Sequence, residues 1–259
     1  MKQKLSLAFS PCPNDTFMMY ALVHRKIDLQ GLEFDFKFLD IEKLNQAAIK
    51  GAFQITKASA ALLPLVKNQY KLLPSGGAFG SEGGPLLIAR PGVDLNENSV
   101  IVIPGEHTSA HVLFNKYYKK PCVKQFVVFS EIFAFLSSSR ADAGVIIHED
   151  RFTYWQHGFE CVADLGLEWK KETNLPVPLG VFLIKNDVDN GLVLVVGDLI
   201  KKSIEWASHN YDEVFPWMKE NARNENPDVI RKHIEYYVNE YSLDMGKQGL
   251  EAVQVLINS

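Results

Sequence analysis

Between Lys4 and Ile55, short apolar runs alternate with segments of helical spacing, and that alternation restricts the chain more than any other feature. Lys4 to Phe9 is apolar and stops at Ser10-Pro11, as a strand buried on both faces would. Asn14-Asp15-Thr16 then offers a cap for a helix with body Phe17 to Arg25. Leu32 to Leu39 alternates apolar and polar residues, Asp40 caps Ile41 to Lys50, and a third strand begins at Phe53 to Ile55. The order βαβαβ predicts a parallel sheet with crossover helices.

The same pattern returns after a glycine-rich stretch. Pro85 to Ala89 reads as a strand and Pro91-Gly92 as a break, taken as a hinge. A second series follows: strands over Val100 to Ile103, Lys124 to Phe129 and Ala143 to Ile147, with helices over Thr108 to Tyr118 and Glu131 to Ser137. Val181 to Ile184 is a further strand, after which the pattern is helical to the end. There, Asn226-Pro227 opens a helix with an apolar stripe of Ile230, Ile234, Tyr237 and Tyr241, expected to cover the first lobe. The fold class expected is therefore α/β, with two lobes and a ligand cleft between them. Lobe 1 is assigned residues 1–90 and 186–259, and lobe 2 residues 91–185.

Composition removes several function classes. With 259 residues, 47% of them hydrophobic, the chain can bury its own core. The formal charge of -4 and the scattered lysine pairs argue against nucleic acid as a partner. No apolar run approaches the ~18 residues of a membrane span, and the N-terminus lacks a secretory pattern, so no membrane association and a cytoplasmic location are expected. Cys12, Cys122 and Cys161 are few and far apart, which predicts free thiols and no zinc site.

Several segments carry side chains suited to chemistry. Ser10 to Thr16 lies at the carboxyl end of the first strand, where open α/β sheets bind ligands, so Ser10 and Asn14 are candidate contacts. Cys12 between two prolines reads as a small buried residue rather than a nucleophile. Lys57 is the one cation in an apolar stretch and must find water or an anion, and Ser59 follows it. Ser75 and Gly76 open a glycine loop through which backbone N–H groups can approach a ligand, although the spacing matches no nucleotide motif. Thr108 and Ser109 stand at a helix start suited to a carboxylate. His107 and His111, with Glu106, lack the zincin order, and no metal is expected. His148 follows the strand Ala143 to Ile147 and is delivered to the cleft edge, where a neutral imidazole suits a general base. Glu149 or Asp150 could orient it.

Taken in order, SPCPNDTF, the Lys57-Ala58-Ser59 tripeptide, SGGAFGSEGGPLLIA, PGEHTSA, IIHEDRFTY and LPVPLGVFLIK resemble the 1,4-dihydroxy-6-naphthoate synthases of the futalosine route to menaquinone over nearly the whole chain. The resemblance implies a type II periplasmic-binding-protein-like fold and a lyase acting on cyclic dehypoxanthine futalosine, a small molecule with a benzoate-type carboxylate, with no metal or redox cofactor. It also implies His148 as proton acceptor, with Lys57, Ala58, Ser59, Thr108 and Ser109 at the substrate. Ser109 stands where many relatives have threonine, which keeps the hydroxyl. Two other readings share the architecture: a chorismate dehydratase of the same pathway, and a non-catalytic solute-binding protein. The sequence does not distinguish a monomer from a dimer.

Overall fold

The computed structural model describes residues 3–259. Two sheets of different composition form its two lobes. The first takes β1 (Gln3–Phe9), β2 (Leu32–Phe38), β3 (Ile55–Ser59), β4 (Tyr70–Leu72), β5 (Ala78–Gly80) and β11 (Val177–Lys185), in the order β2-β1-β3-β11-β4 with β5 also on β11. The second takes β6 (Leu86–Ala89), β7 (Val100–Ile103), β8 (Val123–Phe126), β9 (Ala143–Ile146) and β10 (Glu160–Asp164), in the order β10-β6-β9-β7-β8. As the βαβαβ order predicts, β1 runs parallel to β2 and β3, and β7 parallel to β8 and β9.

The sheets are mixed rather than parallel throughout, because β11 is antiparallel to β3, β4 and β5, and β6 is antiparallel to β9 and β10. These same pairings place Leu86–Ala89 in the second sheet and Val177–Lys185 in the first. The chain therefore crosses before each of these strands, between β5 and β6 and between β10 and β11, and not near residues 90 and 185. Pro91-Gly92 is a turn beyond β6 and not the hinge. Both crossing strands are continuous apolar runs, and such runs state that a strand is buried without stating in which sheet.

The helices are α1 (Pro13–Val23), α2 (Ile41–Ile49), α3 (Leu63–Val66), α4 (Ser109–Tyr117), α5 (Ile132–Ser137), α6 (Leu165–Thr173), α7 (Asn190–His209), α8 (Tyr211–Asn221), α9 (Pro227–Tyr237), α10 (Glu240–Leu243) and α11 (Gly246–Ile257). Asp40 caps α2 through the Glu42 N–H and Asn226 caps α9 through the Asp228 N–H, as their positions predict. The start of α1 is different. Its N-cap is Cys12, and Asn14 and Asp15 lie inside the first turn with side chains turned into the protein. The last helices cover the first lobe, where Val196, Leu199, Ile200, Met218, Ile230 and Ile234 share a core with β1 and α1. No helix among the described residues is long and apolar enough to cross a membrane.

Candidate active site

A cavity lies between the two sheets, lined by side chains of both lobes. The first lobe contributes Ser10, Asn14 and Asp15 from the turn into α1, and Lys57 and Ser59 from the end of β3. The second contributes Thr108, Ser109 and Ala110 from the start of α4, and His148. Helix α9 adds His233 and Tyr237. The period of two along β3 explains why Ala58, a candidate contact, is absent from this wall: Lys57 and Ser59 face the cavity while Ala58 packs into the core.

Lys57 does not await an anion from outside. Its Nζ lies 2.9 Å from Asp15 Oδ1, with both side chains 2% exposed, and donates to the Gly76 carbonyl at 2.7 Å. Asp15 Oδ1 also accepts from Asn14 Nδ2, and Oδ2 accepts from the Ser10 N–H and hydroxyl. Both oxygens are thus fully engaged, so Asp15 has no free lone pair for a substrate proton. Burial lowers the Lys57 pKa and the adjoining Asp15 opposes that shift. Ser10 and Asn14 are at the cavity as expected, but the Ser10 hydroxyl and Asn14 Nδ2 serve this pair.

Ser75 and Gly76 lie outside the cavity wall. Ser75 is buried, and Gly76 is the back of the Lys57 cage, with φ +83° and no room for a Cβ, which would stand 2.5 Å from the Phe182 ring. Gly76→Ala therefore combines left-handed strain with a clash and is expected to cost about 2 to 3 kcal/mol, read as a fall in the midpoint of urea unfolding.

In the second lobe the hydroxyls are also engaged. Thr108 Oγ1 accepts from the His111 N–H and donates to the Gly105 carbonyl, while Ser109 Oγ donates to Leu179 O at 2.8 Å and accepts from the Ala61 N–H. What α4 offers a ligand is its first-turn N–H groups. Ser59 Oγ accepts from Asn45 Nδ2, which leaves its proton to donate. His111 is satisfied at both ring nitrogens, by the Glu106 carbonyl and Asn115. Burial pushes the Cys12 thiol up, which keeps it protonated and a poor nucleophile.

His148 occupies the first position after β9 and Ile147, with φ +57°. That left-handed turn, which histidine tolerates better than most residues, ends the strand and directs the ring to the cavity. The ring meets Phe129 edge-on at 4.8 Å and lies parallel to His233 at 6.2 Å. Nε2 is buried with no hydrogen-bond partner. Burial first, then the positive charges of Arg223 and Lys57, lower its pKa to about 4, while Asp15 opposes them. The ring is therefore neutral at pH 7 and ready to accept, but its proton affinity is lower than the isolated side chain suggests.

A sequence profile for a menaquinone biosynthesis family matches residues 5–259. The 1,4-dihydroxy-6-naphthoate synthase of Thermus thermophilus is 38% identical over 97% of this chain and 92% of its own length. The chain belongs to the 1,4-dihydroxy-6-naphthoate synthase family. The synthase of Streptomyces coelicolor is 34% identical over 98% of this chain and 91% of its own. A solved structure from Archaeoglobus fulgidus superposes with a TM-score of 0.91 at 29% identity, covering 98% of this chain and 96% of that one. The ligand-binding component of an ABC-type import system from Staphylococcus aureus superposes at 0.72 with 11% identity, covering 99% and 91%. The fold is thus that of the periplasmic binding proteins, here carried by a family of biosynthetic enzymes.

In this member of the synthase family neither acidic neighbour of His148 bonds to its ring. Asp150 pairs with Arg223 at 3.1 Å, and Arg223 also donates to Ser130 O, tying the α8 to α9 connection to the second lobe. Glu149 points beneath α9, buried, toward His233. His233 escaped the sequence reading although a signal was present. It sits between Ile230 and Tyr237 on the stripe that α9 buries, where a titratable side chain needs a partner.

Proposed function

We propose that this chain converts cyclic dehypoxanthine futalosine to 1,4-dihydroxy-6-naphthoate, with His148 as the general base. The observation that carries this reading is the unpaired, neutral His148 imidazole opening on the same cavity as Ser59 and the first turn of α4. The Ser109 and Ala110 N–H groups and the Ser59 hydroxyl hold the substrate carboxylate, since they lie at the cavity and are not spent inside the protein. His148 takes the proton beside the substrate ketone. The enolate's electron pair expels the carbon–oxygen leaving group, which takes up the proton held by His148. Loss of a sugar hydroxyl proton then breaks the carbon–carbon bond, the released pair and a proton end on the new hydroquinone, the sugar remnant departs as a carbonyl compound, and aromatisation drives the sequence forward.

Lys57, neutralised by Asp15, acts as a fixed dipole in the cavity wall rather than as the carboxylate's counter-ion. An anionic substrate raises the proton affinity of His148 by Coulomb attraction to the imidazolium, so binding itself strengthens the base. Incubation of the purified protein with the cyclic futalosine is expected to produce the naphthoate chromophore, and incubation with chorismate is expected to leave chorismate intact. Turnover of chorismate with none of the futalosine would overturn the assignment.

A further inference from the structure

At the candidate active site three buried polar atoms lack any hydrogen-bond partner: Nε2 of His148 itself and, behind that ring, Glu149 Oε2 and His233 Nδ1. The last two face one another at 3.9 Å, with His233 fully enclosed and Glu149 only 2% exposed. Their protonation states follow from the neighbouring bonds. Asn14 turns its Nδ2 to the acceptor-only Asp15 carboxylate, so its Oδ1 faces His233 Nε2 at 2.9 Å. Nε2 must therefore carry a hydrogen, and in a neutral ring Nδ1 is left as a bare acceptor. A bare acceptor opposite an ionised carboxylate is two lone pairs in contact, which a dry interior does not tolerate. A protonated carboxyl opposite it needs only a small side-chain rotation to donate.

We infer that Glu149 stands as an un-ionised carboxylic acid which donates to His233 Nδ1, and that this pair is a positioning device for the base. Held by Glu149 on one nitrogen and Asn14 on the other, the His233 ring lies flat behind the His148 ring, with an interplanar angle of 17°. The inference rests on His148 being the base. Of the charged and titratable groups around Glu149, Arg223 alone favours the ionised form. Asp150 stands beside it on its own segment and repels a second negative charge, although Arg223, which partly offsets this, is already bonded to Asp150. Cys12 from the turn after β1 and Tyr237 from α9 are both protonated and buried, and His148 and His233 are both neutral. Burial pushes the Glu149 carboxyl up to about 7, so it ionises as the medium becomes alkaline.

The test compares Glu149→Gln and Glu149→Ala with the unmodified enzyme across pH. Glutamine keeps a neutral donor and cannot ionise. In the unmodified enzyme kcat/KM is expected to fall about tenfold from pH 6 to pH 9, as the acid is lost. Glu149→Gln should stay within about threefold of the pH 6 value throughout, and Glu149→Ala should be low at every pH. A purely space-filling role would leave the alkaline limb unchanged in Glu149→Gln. An ionic Glu149–His233 pair would make Glu149→Gln as poor as Glu149→Ala. Either result overturns the inference. The second measurement needs no turnover: the infrared carbonyl stretch of a buried protonated carboxyl should be present at pH 6 and missing from Glu149→Gln. Its absence from the unmodified protein would sink the inference even if the synthase assay succeeds, and its presence would uphold the neutral acid even if that assay fails.

Discussion

Replacement of His148 by alanine is expected to lower kcat by about 10³-fold while KM changes by no more than about threefold, because a general base acts on the transition state and the carboxylate donors lie elsewhere. Single-turnover kinetics with the cyclic futalosine would measure both. The cavity left by the ring faces the substrate, so added imidazole should restore part of the rate. The unmodified enzyme carries a second signature. The pKa of the unliganded imidazole, lowered to about 4, is reported by kcat/KM. That profile should show no acid limb from His148 until well below pH 5. The profile of kcat reports the substrate complex, where the bound anion raises the imidazole, so its acid limb should lie at higher pH. Near-normal turnover in His148→Ala, or an acid limb of kcat/KM at the ordinary histidine value, would remove His148 from the role.

The other large effect concerns the Lys57–Asp15 pair. Both charges are out of water, so the pair's net worth to folding is modest, but breaking it is not. Asp15→Ala leaves the ammonium with the Gly76 carbonyl and the Phe182 face, and removes the acceptor that also holds Ser10 and Asn14. We expect a loss of about 3 to 5 kcal/mol, which in a chain of this size lowers the melting temperature by roughly 10 °C. The sign of the pH effect discriminates. In Asp15→Ala the Lys57 pKa is depressed below its unfolded value by burial without an opposing charge. A cation with a depressed folded pKa contributes stability that is fully present above the unfolded value and is lost as pH falls through the folded one. The deficit of Asp15→Ala should therefore shrink as pH rises toward 10. The double variant Asp15→Leu with Lys57→Met should recover much of the loss, since it leaves no unpaired charge. A loss below about 1 kcal/mol in Asp15→Ala would show that the pair is solvated.

The two losses differ in kind. His148 stands on a strained turn and makes no hydrogen bond through Nε2, so its removal touches chemistry more than folding. Asp15 accepts bonds from four groups, and its removal touches folding first. Sites that combine a loosely held reactive group with a tightly braced wall preorganise the reaction without stiffening the group that must change charge.

The order of the longer strands and helices, the two-lobed α/β class, the caps at Asp40 and Asn226, and the delivery of His148 to the cleft were legible in the sequence, because each depends on periodicity or on a neighbour within a turn, whereas β4, β5, β10 and α6 were not read from it. Tertiary structure alone decided which sheet receives β6 and β11, since a run buried on both faces carries no mark of its partner. It also decided that Lys57 is answered by Asp15 from within, that the Ser109 hydroxyl is spent on the Leu179 carbonyl, and that Glu149 meets His233 rather than His148. These are contacts between residues tens of positions apart in the chain. Hydrogen bonding and desolvation act through space at a few ångströms, and no local pattern of the chain records them.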